Sequence, residues 1–396
     1  MSSPGRRSVP PWCRRGCRTA PARPGDRYLP EGWDPGPVTD DAHALRVRAQ
    51  LLHRPASGGV TETVRRLLAV QAQDIAAFPI ALHARMPAVT AADLRAARDE
   101  RSVVRIWGPR GTIHLIAAAD LPWLFPLIRS GPVDSLRRLG QLGVRIGEAE
   151  AVRAVDRALA GQGPLTKAEL GERLAAGGLP AEGQAIVHLA VLAARAGLLV
   201  FGPDRSNRPT YVHAADWLGS PVPVETDRER ALAELARRYL RAHAPAGPRD
   251  LAAWSGLPLR DAETGWRAIA AELTEVSPGL WTAGADAADP VAEPVVRLLP
   301  IWDEYLLGWA STLAWAAPAS YRPVIHSSRP VLLADGRVAA TWRPRRTAGR
   351  LEITVRPLAP LADQISDLLA READGLGRFL GLRTELAVGP PDPAGG

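Results

Sequence analysis

"SVVRIWGPRGTIHLIAA", Ser102 to Ala118, breaks with the character of everything around it. Val103, Val104, Ile106, Trp107, Ile113, Leu115 and Ile116 are strand formers, and Gly-Pro-Arg-Gly between the two halves is turn chemistry. The stretch predicts a β-hairpin. The segments before it read as helices. "VTDDAHALRVRAQLL" (38–52) has Thr39 or Asp40 as cap and Ala44, Val47 and Leu51 on one face. "TETVRRLLAV" (61–70) takes Thr61 as cap, and "TAADLRAARDE" (90–100) takes Thr90. Helices closed by a hairpin are the order of a winged helix-turn-helix.

That order recurs twice. "EAEAVRAVDRALAG", "GPLTKAELGERLAAGG" and "EGQAIVHLAVLAARAGLL" are helical, and "LVFGPDRSNRPTYVHA" is a hairpin with a polar tip. "DRERALAELARRYLRAHA", "GPRDLAAWSG" and "LRDAETGWRAIAAEL" repeat the helices, and "LTEVSPGLWTAG" is a short third wing. The Gly-Pro turns at Gly163 and Gly247 occupy matching places. After about residue 290 the pattern turns to strands, with Asp335-Gly336 as a hairpin turn. The helix "LADQISDLLAREADGLGRFLG" closes the chain with Ile365, Leu368, Leu369 and Leu376 inward.

The chain has 396 residues, 46% hydrophobic and 23% charged, the balance of a soluble multidomain protein. No apolar run predicts a membrane span. The net charge of +7 suggests nucleic acid as a partner, but seven arginines against three acids fall in the irregular head, 1–36, so a basic groove must come from clustering. Lys167 is the only lysine, a bias of arginine-rich coding. Cys13 and Cys17 read as free thiols, and no His/Cys cluster has metal spacing. Nucleotide loops of the P-loop or dinucleotide kind and a G-x-S-x-G elbow are missing.

One stretch resists a purely structural account. In "LLAVQAQDIAAFPIALHARM" (67–86), Gln71 and Gln73 sit inside an apolar run. A buried amide without partners costs about 1–3 kcal/mol. These amides either tie a helix end to the next loop or face a cavity where they handle something polar. Asp74 is the nearest carboxylate, and it suits an N-cap for the following segment as well as it suits support of the pair. In an extended segment Gln71 and Gln73 share a face and Asp74 points away.

That stretch, "LRAARDERSVVRIWGPRGTIHLIAAADLPWL", "TYVHAADWL", "DLAAWSGL", "RLLPIWDEYLLG" and "DGRVAATW" follow one another in this sequence. Together they resemble the AlkZ-like winged-helix DNA glycosylase family over residues 40–385. The resemblance implies an α+β architecture: three tandem winged helix-turn-helix domains in a C shape around a DNA channel (37–145, 146–222 and 223–288), followed by a C-terminal β-barrel-like domain (289–388). It also implies a catalytic motif, here Gln71-Ala72-Gln73.

An amide is a poor base, but it can hold and aim a water. That suffices when the leaving group needs no acid, as for an N3- or N7-alkylated purine that already carries positive charge. Asp74 and His114 are candidates for catalytic support. Candidate DNA contacts are Arg105, Arg110 and Thr112 on the first hairpin, Arg205, Asn207 and Arg208 at the second wing tip, and Arg343 in "TWRPRR". For each, the structural alternative is an ordinary surface or core polar residue. The expected activity is hydrolysis of N-glycosidic bonds in duplex DNA by a cytoplasmic, nucleoid-associated monomer without metal or cofactor. The rival is a non-catalytic winged-helix regulator. Its reading helices would offer mainly Gln184, His188, Arg195 and Arg267, a poor set for reading bases.

Overall fold

The computed structural model describes residues 40–53, 58–128, 134–283, 294–310, 312–322 and 329–391. The head at 1–36, with Cys13 and Cys17, lies outside them, as do residues 392–396 of the Pro/Gly-rich tail, expected to be loose from 389. Helices α1 (Asp40–Ala49) and α2 (Val60–Leu67) lead into a two-residue strand, β1 (Val70–Gln71). Helices α3 (Ala77–His83) and α4 (Ala91–Asp99) precede the hairpin of β2 (Val103–Trp107) and β3 (Ile113–Ala117). The spacing of Val60, Val64 and Leu67 buries one face of α2. Its first residue is Val60, not a residue after Thr61. The Thr61 hydroxyl instead meets Ser102 Oγ at 2.8 Å. Thr90 does cap α4: its hydroxyl accepts from Asp93 N–H at 3.2 Å, and Asp93 accepts from Thr90 N–H at 2.8 Å.

Helices α5 (Leu121–Ile128), α6 (Ser135–Gln141) and α7 (Glu148–Leu159) follow, then β4 (Leu165–Thr166), α8 (Lys167–Ala176) and α9 (Gln184–Arg195). The second hairpin is β5 (Leu199–Phe201) with β6 (Thr210–His213), followed by α10 (Ala214–Leu218). The first two hairpins share one six-stranded sheet, in the order β1-β3-β2-β5-β6-β4, joined where Arg105 lies opposite Phe201. The third succession stands apart: α11 (Arg228–His243), α12 (Pro248–Ser255), α13 (Leu259–Ala268) and a two-stranded sheet of β7 (Leu273–Ser277) and β8 (Leu280–Ala283).

The C-terminal unit contains β9 (Val296–Leu299), α14 (Glu304–Leu307), α15 (Thr312–Ala316), β10 (Val331–Ala334), β11 (Arg337–Thr347), β12 (Arg350–Pro357), α16 (Asp363–Leu380) and β13 (Arg383–Val388). The expected barrel is an open sheet. Its five strands run β13-β12-β11-β10-β9, and the edge strands β13 and β9 do not pair with each other. Ile365, Leu369, Ala373 and Leu376 of α16 cover one face, against Trp342, Leu351, Ile353 and Val355. With that face covered, nothing drives the sheet to close on itself. Among the described residues no helix is long and apolar enough to cross a membrane.

Candidate active site

The site is built on β1 and its continuation. Leu68 ends α2 with φ of 71°, and the chain turns at once into β1. Val70 and Ala72 point into the core. Gln71 therefore has the other parity, half-buried, opposite His114 of β3. Extended pairing runs one residue past β1, where Ala72 N–H donates to the Ile113 carbonyl at 2.8 Å. Beyond it the backbone peels away, and the Gln73 side chain takes over: its Oε1 accepts from Ile113 N–H at 3.1 Å. Gln71 Oε1 lies 3.2 Å from the Thr112 hydroxyl. Both amides are tied to consecutive residues of one hairpin arm.

A backbone N–H only donates, so Gln73 turns its carbonyl to Ile113, and its NH2 and second carbonyl lone pair have no partner among the described residues. Asp74 does not join the pair. Its Oδ1 accepts from the N–H groups of Ala76 (2.7 Å) and Ala77 (3.0 Å), starting α3.

Gln73 and Asp74 line a cleft of about 780 Å³. Arg95 and Arg98 of α4, Asn207 of the β5–β6 loop and Arg346 of β11 are on its polar wall, along with Asp99, Arg105 and Asp204. Arg98 lies one helical turn from Arg95, which places both on one face. Arg346 enters from the far end of the chain. The expected contact there is Arg343, but Arg343 pairs with Thr354 on the outer face of the C-terminal sheet, whereas Arg346 pairs with Leu351 on the helix-covered side and reaches the cleft.

Two other expected phosphate contacts have different duties. Arg105 is 2% exposed, ion-paired to Asp204 and set between the rings of Phe78 and Phe201, each centroid 5.7 Å away. Burial pulls its pKa below the ordinary guanidinium value and Asp204 offsets that. Arg98 binds the same carboxylate at 2.9 Å, so Asp204 fixes the base of the wing loop. Arg110, with φ of 56°, donates to the Trp254 carbonyl at the end of α12. The first hairpin turn thereby docks on the third unit, where Gly256, at φ of 76°, comes so close that a Cβ would sit 3.2 Å from Arg110 Cα.

Arg205 pairs with Glu169, while Asn207 and Arg208 are exposed at the wing tip. Thr112 serves the amide of Gln71. His114 is fully buried: Nδ1 lies 3.1 Å from the Thr112 carbonyl and Nε2 lies 3.3 Å from Glu304 Oε1, so the ring backs the site without facing the cleft. Among the described residues no group of three His, Cys, Asp or Glu side chains is placed to hold a metal ion. Sequence reasoning alone misses Arg95, Arg98 and Arg346. The first two are visible as an i, i+3 pair of arginines on a helix beside the glutamine segment.

Comparison with known proteins agrees with this architecture. The family described as DNA glycosylase AlkZ-like matches residues 64–379. An interstrand DNA cross-link repair glycosylase of Streptomyces sahachiroi is 25% identical over 321 residues, covering 76% of this chain and 86% of that protein. The solved structure of the Streptomyces sahachiroi DNA glycosylase AlkZ matches with a TM-score of 0.71 at 22% identity, covering 88% of this chain and 99% of that one. This chain belongs to the AlkZ-like DNA glycosylase family, and its reaction is hydrolysis of N-glycosyl bonds in DNA.

Proposed function

We propose that Gln71 and Gln73 hold and aim the water that releases a cationic alkylated purine from duplex DNA. The observation that carries this reading is the tie of both amides to Thr112 and Ile113 while Gln73 opens on the arginine-walled cleft. A water that donates to the free carbonyl lone pair of Gln73 keeps its own lone pairs for attack on C1′. As the C1′–O bond forms, the electrons of the C1′–N bond return to the alkylated ring. The base leaves neutral, and no acid is needed. Asp74, on the same cleft, is the acceptor for the proton that the water gives up. His114 supports the pair from behind.

Arg95, Arg98, Arg346, Asn207 and Arg208 are the proposed phosphate contacts. The three helix–hairpin successions act as winged helices along the duplex, in a C-shaped arrangement of domains bounded near residues 145, 222 and 288. The protein works as a monomer among the DNA of the cytoplasm. The relative named for interstrand DNA cross-link repair extends the proposed substrates to bulky adducts and cross-links, for which an open cleft suits attack in place. The test is release of 7-methylguanine from a methylated duplex by wild type, Gln71→Ala and Gln73→Ala. Loss of release in the variants with duplex binding retained is expected, and full activity in both would overturn the reading.

A further inference from the structure

Behind the two glutamines the structure holds a buried chain of polar groups that reaches across three parts of the fold. His114 is the residue next to Ile113 and stands opposite Gln71 in the β1–β3 pairing. Its Nδ1 faces the Thr112 carbonyl at 3.1 Å and its Nε2 faces Glu304 Oε1 at 3.3 Å. Both ring nitrogens face oxygens, and Nε2 and Glu304 Oε1, which make no hydrogen bond among the described residues, have each other as nearest polar contact. The other oxygen of Glu304 accepts from Trp254 Nε1–H of α12 at 2.9 Å. Burial pushes the Glu304 carboxyl up, but His114, Arg110 and His243 outweigh it and hold it at about 2.

The preceding residue, Asp303, faces the opposite way. Its two carboxylate oxygens accept from Arg85 at 2.8 Å each, and Arg85 also donates to the Ala81 carbonyl of α3 and to Gln50 Oε1, both at 2.8 Å. Asp303 and Glu304 thus brace α3, which follows the glutamines in sequence, and β3, which bonds to them.

We infer that Glu304 and His114 are positioning residues of the glycosylase reaction: the pair fixes β3 at His114 and its neighbour Thr112, and through them the aim of the Gln71 amide. This deepens the water-aiming reading above and rests on it. Neither side chain touches DNA. Their effect is on the rate of the chemical step, not on the hold on the duplex. Glu304→Gln keeps an oxygen for Trp254 but removes the charge that faces the His114 ring.

The experiment compares full-chain wild type with Glu304→Gln and His114→Gln on a 7-methylguanine duplex. Single-turnover base release, duplex Kd and thermal unfolding are read for each, alone and combined with Gln71→Ala. The expected result is a release slower by on the order of 10- to 100-fold, with Kd unchanged. In the Gln71→Ala background the same substitutions change the rate by no more than about twofold, because they act through the amide already removed. An unchanged rate overturns the inference. So does a loss that multiplies with that of Gln71→Ala, a Kd that weakens in step with the rate, or failure of both variants to fold. Intact release in Gln71→Ala and Gln73→Ala removes the glutamine reading and this inference together. Dead alanine variants beside a fully active Glu304→Gln remove the inference alone.

Discussion

Gln73 and Ile113 are joined side chain to backbone, carbonyl oxygen to N–H, at 3.1 Å, and this fixes which end of the amide faces the cleft. A group that keeps an acceptor there keeps the geometry. Gln73→Glu is therefore expected to retain release of 7-methylguanine far better than Gln73→Ala. For the alanine variant we expect a loss on the order of 100- to 1,000-fold, the size seen when one preorganised polar group is removed from a reacting centre. Single-turnover kinetics on the methylated duplex measures both, and equal rates for the two variants would contradict the role of the carbonyl.

The cleft arginines make a separate prediction. Arg95, Arg105 and Arg346 all line the cleft, but Arg95 and Arg346 are exposed whereas Arg105 is buried on Asp204. Replacing Arg95 or Arg346 by Ala is expected to weaken binding to every duplex and to lower the salt slope of log K by about one for each phosphate that is no longer neutralised. Binding isotherms at several salt concentrations read the slope directly. A slope equal to wild type for both variants would place the DNA elsewhere.

Arg105 belongs to stability. Asp204→Ala leaves a buried guanidinium without its carboxylate, a change of about 3–5 kcal/mol for buried pairs. Denaturant unfolding should show that loss. The exposed pair of Arg205 with Glu169 is worth at most about 1 kcal/mol by the same measurement.

Acid should weaken the fold in part through buried histidines held neutral in the folded chain. Burial holds His83 at about 4, with Arg297 and Arg378 adding to the shift. It also holds His243 at about 4, where Glu304 acts in the opposite sense. Both values lie below the ordinary 6.5, so the unfolded chain takes up protons that the folded chain refuses. The stability these rings contribute is fully present above about pH 6.5 and is lost as pH falls toward about 4. His83 has no hydrogen-bond partner among the described residues and rests against the Phe379 ring, 5.1 Å between centroids. His83→Phe should therefore flatten the decline, as read from urea midpoints between neutral and mildly acidic pH. An unchanged decline would assign it to other groups.

The hairpin at 103–117, the Thr90 cap, the inward face of α16 and the position of the glutamine pair were legible because each is local: an alternation, a cap spacing or a helical stripe. What the sequence hid depends on distant partners. Arg105 in "VVRIW" looks like a surface cation until Asp204, far along the chain, is placed beside it. The choice of Arg346 over Arg343 depends on which face of the sheet α16 covers. The open sheet follows from where strands end in space, and the turn signal at Asp335-Gly336 is the same in a barrel. Asp303 and Glu304 are neighbours in sequence, and nothing local says that one reaches Arg85 and the other His114.

The six-stranded sheet has a mechanical corollary. The strand that carries Gln71 and the loop that carries Asn207 are parts of one hydrogen-bonded plate, stitched between hairpins where Arg105 faces Phe201. The gap between those two features is set by that plate, like a caliper locked at one width.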